Sequence, residues 1–137
     1  VCALVLLPCP ACRKTDQRVA QTEVGQRALP SWLRTELYFG LSKPDGEVSP
    51  DEWQAFLERE VTPRFPDGLT VVEAAGQYLD RARALVKEKT KLVILIHKED
   101  PARERAIDEI VERYKQLFQQ EEVLRVRLPV RVGADAD

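Results

Sequence analysis

Thiols are missing from almost the whole chain. The three cysteines of the 137-residue sequence, Cys2, Cys9 and Cys12, all fall within its first twelve residues. Every later segment therefore lacks the groups for a disulfide, a thiolate nucleophile or a cysteine metal site. Histidine is reduced to one residue, His97, so no histidine pair is available to a metal. No glycine-rich phosphate loop and no serine elbow occur, and acidic neighbours such as Glu121 and Glu122 carry no spacing that assigns acid and base roles. These absences speak against metal and nucleophilic catalysis; no metal and no cofactor is expected. A surplus of either charge is missing too. The 21 basic and 23 acidic residues give a formal net charge of -2 and are mixed along the chain, so no basic stripe is offered to phosphates and nucleic acid is not an expected partner.

What is present suits one domain with a single core: 44% hydrophobic and 32% charged residues is ordinary for a globular protein of this size. The opening "VCALVLLPCPACRKTDQ" is an apolar run too short to span a bilayer. It resembles the tail of a secretory signal, small residues followed by polar sequence, and points to an extracytoplasmic protein that is secreted, periplasmic or lipid-anchored. Cys9 or Cys12 is the candidate for lipidation, the one route to a membrane tether. Residues 1–12 thus read as a signal or lipoprotein-signal remnant, 13–30 as a polar linker or extension with Gly25 and Pro30, 31–131 as the folded domain and 132–137 as an acidic tail.

Within the domain, "SWLRTELYFGL" places Leu33, Leu37, Phe39 and Leu41 on one side of an extended chain and Arg34, Glu36 and Tyr38 on the other. Pro44, Asp45 and Gly46 supply a turn. Ser49, Pro50, Asp51 and Glu52 then form a capping box with proline at the first helical position, opening a helix to about Val61 with a stripe of Trp53, Phe56, Leu57 and Val61. After a Pro66–Asp67–Gly68 turn, Leu69 to about Leu79 reads as a second strand, weakened by Ala74, Ala75 and Gly76; Gly76 suits a bulge or a close backbone contact. "ALVKEKTKLVILIHK" is the third strand, and its segment Leu92–Ile96 is apolar on both faces, as at the centre of a sheet. Asp100 and Pro101 start a second helix with Ile107, Ile110, Val111, Tyr114, Leu117 and Phe118 along one stripe. In "EEVLRVRLPVRV" Val123, Arg125 and Arg127 alternate with Leu124, Val126 and Leu128, a strand with one wet face, until Pro129 limits pairing.

The order strand, helix, strand, strand, helix, strand is that of the ferredoxin-like fold, an α+β two-layer sandwich (βαββαβ). Its four-stranded sheet is antiparallel or mixed, with both helices on one face. The two central strands are expected to run parallel. A long hairpin over Leu69–Ile96 with two loose helices is the alternative; the sandwich is preferred because both apolar stripes need a common sheet.

Phe39–Gly40, "VSPDEWQAFLEREVTPRFPDGLTVVEAAGQY", "KLVILIH" and "IVERYKQLFQQEEVLRV" together resemble a bacterial family known as domain of unknown function 3574. "RFPDGLT" followed by "GQY" is the most specific part, and Tyr78 stands where the family resemblance leads one to expect tryptophan. The resemblance covers roughly Leu33 to Val126. It implies the domain boundaries and an exported protein, since many members look exported, and it supplies no catalytic residues.

Candidate sites follow from the expected sheet. With strands one and three parallel, His97 comes to lie near Tyr38 and Glu36, a small polar group that could act on a ligand; the bland reading is a structural histidine capping the sheet. The wet face would carry Arg34, Glu36 and Tyr38, then Arg125 and Arg127, with Glu73 and Gln77 from strand two. That set is either a shallow ligand surface or an ordinary solubilising lattice of crossed charges. Arg64–Gly68 reads as a recognition loop, or as a turn with Phe65 tucked under the sheet.

Two functions are therefore carried forward. The first is a noncatalytic binding or self-association module using the uncovered sheet face, with a homodimer, another protein or a small molecule as partner. The second is a cofactor-free enzyme of the dimeric ferredoxin-like type, with His97, Tyr38 and Glu36 lining a pocket.

Overall fold

The computed structural model describes residues 31–133. The expected signal or lipoprotein remnant with Cys9 and Cys12, the 13–30 linker and all of the acidic tail but its first two residues lie outside the described residues.

Strand β1 (Trp32–Gly40) buries every second residue, with Leu33, Thr35, Leu37 and Phe39 turned to the core. A small hairpin of β2 (Ser42–Lys43) and β3 (Gly46–Glu47) follows; Gly46 at φ 138° makes its turn, a conformation that costs a Cβ-bearing residue. The Ser49 side chain accepts from the Glu52 amide, and the Glu52 side chain accepts from the Ser49 amide, so the capping box opens α1 (Pro50–Phe56) as its sequence dictates. A π turn (Leu57–Val61) continues it, marked by the Thr62 amide donating to the Leu57 carbonyl at 2.8 Å. The wider turn keeps Val61, five residues after Phe56, in the core, where α-helical pitch would have placed Glu60.

Strands β4 (Thr70–Leu79) and β5 (Leu85–Lys98) form a long hairpin, α2 (Pro101–Phe118) returns across the sheet, and β6 (Leu124–Val130) closes it. The sheet order is β4-β5-β1-β6. One hydrophobic cluster unites Trp53, Phe56 and Val61 of the first helical segment, Ile107, Ile110, Tyr114 and Phe118 of α2, and Leu37, Phe39, Val93 and Leu95 of the sheet. Both helices therefore roof the same face. Phe39 sits at the centre of the aromatic packing, with ring centroids 4.6 Å from Tyr114, 5.5 Å from Trp53 and 5.6 Å from Phe56, spacings typical of favourable tilted pairs. β6 begins opposite Tyr38, so the Gly40 carbonyl has no strand partner there; the Tyr114 hydroxyl donates to it at 2.7 Å. Burial raises the Tyr114 phenol well above its ordinary pKa, with Glu88 and Glu52 adding to the effect. Phe65 is in the core, so the Arg64–Gly68 turn tucks its ring under the sheet.

Two expectations are corrected. The central strands β1 and β5 run antiparallel, with Trp32 opposite Lys98 and Tyr38 opposite Leu92. The reason is topological: β4 returns through a helix, parallel to β1, and the hairpin then reverses the chain into β5. Arg125 and Arg127 also do not share a face with Arg34 and Tyr38. They stand opposite Leu37 and Thr35, on the helix side, where α2 supplies Asp108 at 2.7 Å from Arg125 and Glu104 at 2.7 Å from Arg127. The alternation of β6 is as expected but its facing is reversed: the edge beyond the helix roof is the polar one, and Leu124, Val126 and Leu128 turn to the open side.

Candidate functional site on the uncovered sheet face

With both helices on one side, the other face of the sheet has no cover from the described residues. Strand register assigns its occupants. β1 contributes Trp32, Arg34, Glu36, Tyr38 and Gly40; β5 contributes Thr90, Leu92, Ile94 and Ile96 beside them; β4 adds Val72, Ala74, Gly76 and Tyr78; and β6 adds Leu124, Val126, Leu128 and Val130. Aliphatic residues flank the polar β1 column on both sides. Ile96 is 44% exposed and Val72 42% on one side, Leu128 43% and Leu124 61% on the other, apolar area of the kind that marks interaction sites.

The central charges of the face are partnered within β1. Successive outward positions carry Arg34, Glu36 and Tyr38, so the three side chains line up along the strand. Arg34 Nε donates to Glu36 Oε1 at 2.8 Å, and the Tyr38 hydroxyl donates to Glu36 Oε2 at 2.7 Å. Ile94 and Val126 stand across from Glu36 on either side, and its side chain is only 12% exposed. The Tyr38 hydrogen bond is the main reason the Glu36 carboxyl lies below its usual pKa; Arg34 contributes, and partial burial opposes. The same bond, with burial and the carboxylate's charge, raises the Tyr38 phenol.

Where β1 ends, the face drops into a groove of about 840 Å³. Its floor is made of small residues, Gly40, Ala74, Gly76 and Thr90; Tyr38, Tyr78 and Leu124 wall it, and the turn from α2 to β6 closes one side. Glu88 crosses this floor. A Cβ on Gly40 would come within 2.5 Å of its carboxylate, so the missing side chain at position 40 is what gives Glu88 room. Glu88 Oε1 accepts from the Ser42 amide at 3.0 Å.

His97 takes no part in this surface. It is 4% exposed and faces the helix layer. Its Nδ1 lies 2.9 Å from the Lys98 carbonyl and its Nε2 2.9 Å from Thr35 Oγ1. A carbonyl only accepts, so Nδ1 carries a proton; in the neutral ring Nε2 then accepts from the Thr35 hydroxyl. Phe65 packs edge-on at 5.7 Å. Because β1 and β5 are antiparallel, His97 sits opposite Leu33 while Tyr38 sits opposite Leu92, roughly 17 Å away along the strand and on the other face. The expected grouping of His97 with Tyr38 and Glu36 is therefore not formed. Glu73 and Gln77 lie on the helix side of β4, beyond the roof, where Glu73 pairs with Lys91 at 2.5 Å. Of the expected face residues, Arg34, Glu36 and Tyr38 are brought together. Glu88 and Leu124 carry no site signal in the sequence; the signals for the groove are Gly40 at the end of a strand and the Gly76–Tyr78 stretch, where Gly76 suits a close backbone contact. Among the described residues no cluster of three metal-ligating side chains occurs, and no helix is long and apolar enough to cross a membrane.

The sheet order, the antiparallel pairing and the one-sided helix layer define a ferredoxin-like α+β domain. Within that class the chain belongs to the family described as "Protein of unknown function (DUF3574)", whose model matches residues 34–133. No curated protein matches the sequence. Among solved structures it is similar to a phage SAM lyase in complex with S-methyl-5'-thioadenosine, with a TM-score of 0.60 and 16% identity over 77% of this chain and 87% of that one. The apo state of a phage SAM lyase gives a TM-score of 0.56 and 15% identity over 76% and 85% of the two chains. CutA from Synechococcus elongatus, complexed with a Bis-Tris molecule, gives 0.47 and 9% identity over 74% and 82%. At these identities the likeness to the two lyase structures is one of fold.

Proposed function

We propose that this domain is a noncatalytic binding module that associates with a second copy of itself through the uncovered sheet face. The observation that carries the reading is the composition of that face: aliphatic residues from β4, β5 and β6 flank the β1 column, where Arg34 and Tyr38 already satisfy the Glu36 carboxylate. Docking two such faces would bury apolar area without stranding Glu36, the usual penalty for covering a polar group. The size is adequate. Four strands about 4.8 Å apart and nine residues of β1 outline a plane of about 600 Å², of the order of the roughly 800 Å² per partner of a stable interface. A second copy matches the face in chemistry by construction, since an isologous contact sets like patch against like patch.

The rival reading, a cofactor-free enzyme of the dimeric ferredoxin-like type, loses its histidine, because His97 is on the other face. Export is proposed alongside the binding role, on the apolar opening sequence; mass spectrometry of the protein recovered from its native host would show a cleaved or acylated N-terminus if that proposal holds, and an intact one if it does not.

The association is tested by light scattering on the full chain and on Ile96→Glu, a position already 44% exposed and so outside the core. The wild type is expected to run as a dimer and the variant as a monomer with an unchanged melting temperature. A monomeric wild type, or an oligomer indifferent to the charge at position 96, overturns the reading.

A further inference from the structure

The geometry points to a second site, at the end of the sheet: we propose that the groove between Tyr38 and Tyr78 binds an organic cation of the ammonium or sulfonium type that carries a planar group. Four observations lead there. The volume of about 840 Å³ lies within the range of small-molecule sites. The floor of Gly40, Ala74, Gly76 and Thr90 is a run of small residues in a face that elsewhere carries aliphatic, aromatic and long polar side chains, and the four residues come from three different strands; removing side chains at adjoining register positions is how a sheet makes room for a flat group. Tyrosines stand on two sides, Tyr78 53% exposed on the part of the β4–β5 hairpin that runs past the end of β1. Finally, the carboxylate on the floor has no cation. Glu88 Oε1 accepts one amide hydrogen bond. Lys43, which also lines the groove, is committed to Glu52 at 2.8 Å, and the neighbouring Lys89 to Glu47 at 2.9 Å. Among the described residues no ion pair satisfies Glu88.

Glu121 and Glu122 add to the negative potential at the rim, with a hydrogen bond from Gln120 to the Ser42 carbonyl holding their turn in place. A carboxylate beneath and aromatic rings beside a recess select positive charge with a diffuse, weakly hydrated surface, the property shared by quaternary ammonium and sulfonium groups. The site does not require self-association to form, because its walls come from one chain; Tyr38 and Leu124 border both the groove and the rest of the sheet face.

The test is calorimetry on the full chain with benzyltrimethylammonium and dimethylphenylsulfonium as probes and benzyl alcohol as the neutral control. At least one cation is expected to bind saturably and the alcohol at least about tenfold more weakly. The Glu88→Gln variant keeps an acceptor for the Ser42 amide and removes the charge; it should lose about tenfold in cation affinity while its melting temperature and oligomeric state stay those of the wild type. Tyr78→Ala, outside the core, should weaken cation binding several-fold as an independent check. Whichever cation binds better names the onium class. Equal binding of cation and alcohol, no saturation by about 10 mM, which is weaker than any useful site, or indifference to both substitutions overturns the proposal. Because the oligomeric state is followed in the same samples, failure here is distinguishable from failure of the self-association reading.

Discussion

Glu36 shows how one residue makes an apolar face tolerable. A carboxylate between Ile94 and Val126 would be costly to cover if it stood alone; two-residue spacing on a strand delivers Arg34 and Tyr38 to its two oxygens, since side chains at i and i+2 share a face. The hydrogen bonds hold the carboxyl below its ordinary pKa. A depressed folded-state pKa means a stabilising contribution that is complete above the unfolded value, about 4.3, and lost as the pH falls through the folded one. The melting-temperature difference between wild type and Glu36→Gln should thus be constant above about pH 5.5 and narrow steadily on acidification below about 4. A difference that does not move with pH would show that the carboxylate's charge is not what Arg34 and Tyr38 hold.

At the scale of elements, the first helix is written most explicitly. Ser49 caps it, Pro50 fits its first turn, and Glu52 returns to the Ser49 amide. Lys43 Nζ also reaches Glu52 at 2.8 Å, and this bond, ahead of the backbone bond to Ser49, takes the carboxyl down to about 2. Ser49→Ala should cost about 1 kcal/mol by chemical denaturation, while NMR titration still finds Glu52 well below the usual carboxylate range, because the Lys43 contact and the bond from the position-49 amide both survive. Lys43→Ala should move the carboxyl back up further than Ser49→Ala does; a Glu52 that stayed as low without Lys43 would reverse the ranking of its partners. Caps, turns and stripes are local, so the sequence discloses them. The facing of β6 is not local. Alternation in "VLRVRL" predicts two faces and cannot say which one meets water, because the answer depends on where α2 ends its cover and on Glu104 and Asp108, which wait there for the arginines. For the same reason the π turn is invisible: residues 53, 56, 57 and 61 fit a helix stripe by eye, and it is the core that selects Val61 over Glu60.

For the whole molecule, the order of elements suffices to specify a two-layer sandwich with one face left uncovered by the described residues, and the double-sided apolar run at Leu92–Ile96 marks that face. What the order did not disclose was the mutual direction of the central strands, which decides whether the end of β5 meets the end or the beginning of β1. It meets the beginning, so His97 joins Thr35 and Phe65 in the core layer, and the groove is left to Glu88 and the two tyrosines. Glu88 was hard to single out because "KEKTK" is an ordinary charged strand until Gly40, 48 residues earlier in the chain, is placed beneath it. The central claim is that a second copy covers the sheet opposite the helices. Mixing isotope-labelled and unlabelled chains and recording intermolecular NOEs tests it most directly. Contacts between copies should appear at the methyl groups of Leu92, Ile94 and Val126 and be absent from Leu117 on α2; contacts confined to the helix layer, or none at all, would contradict it.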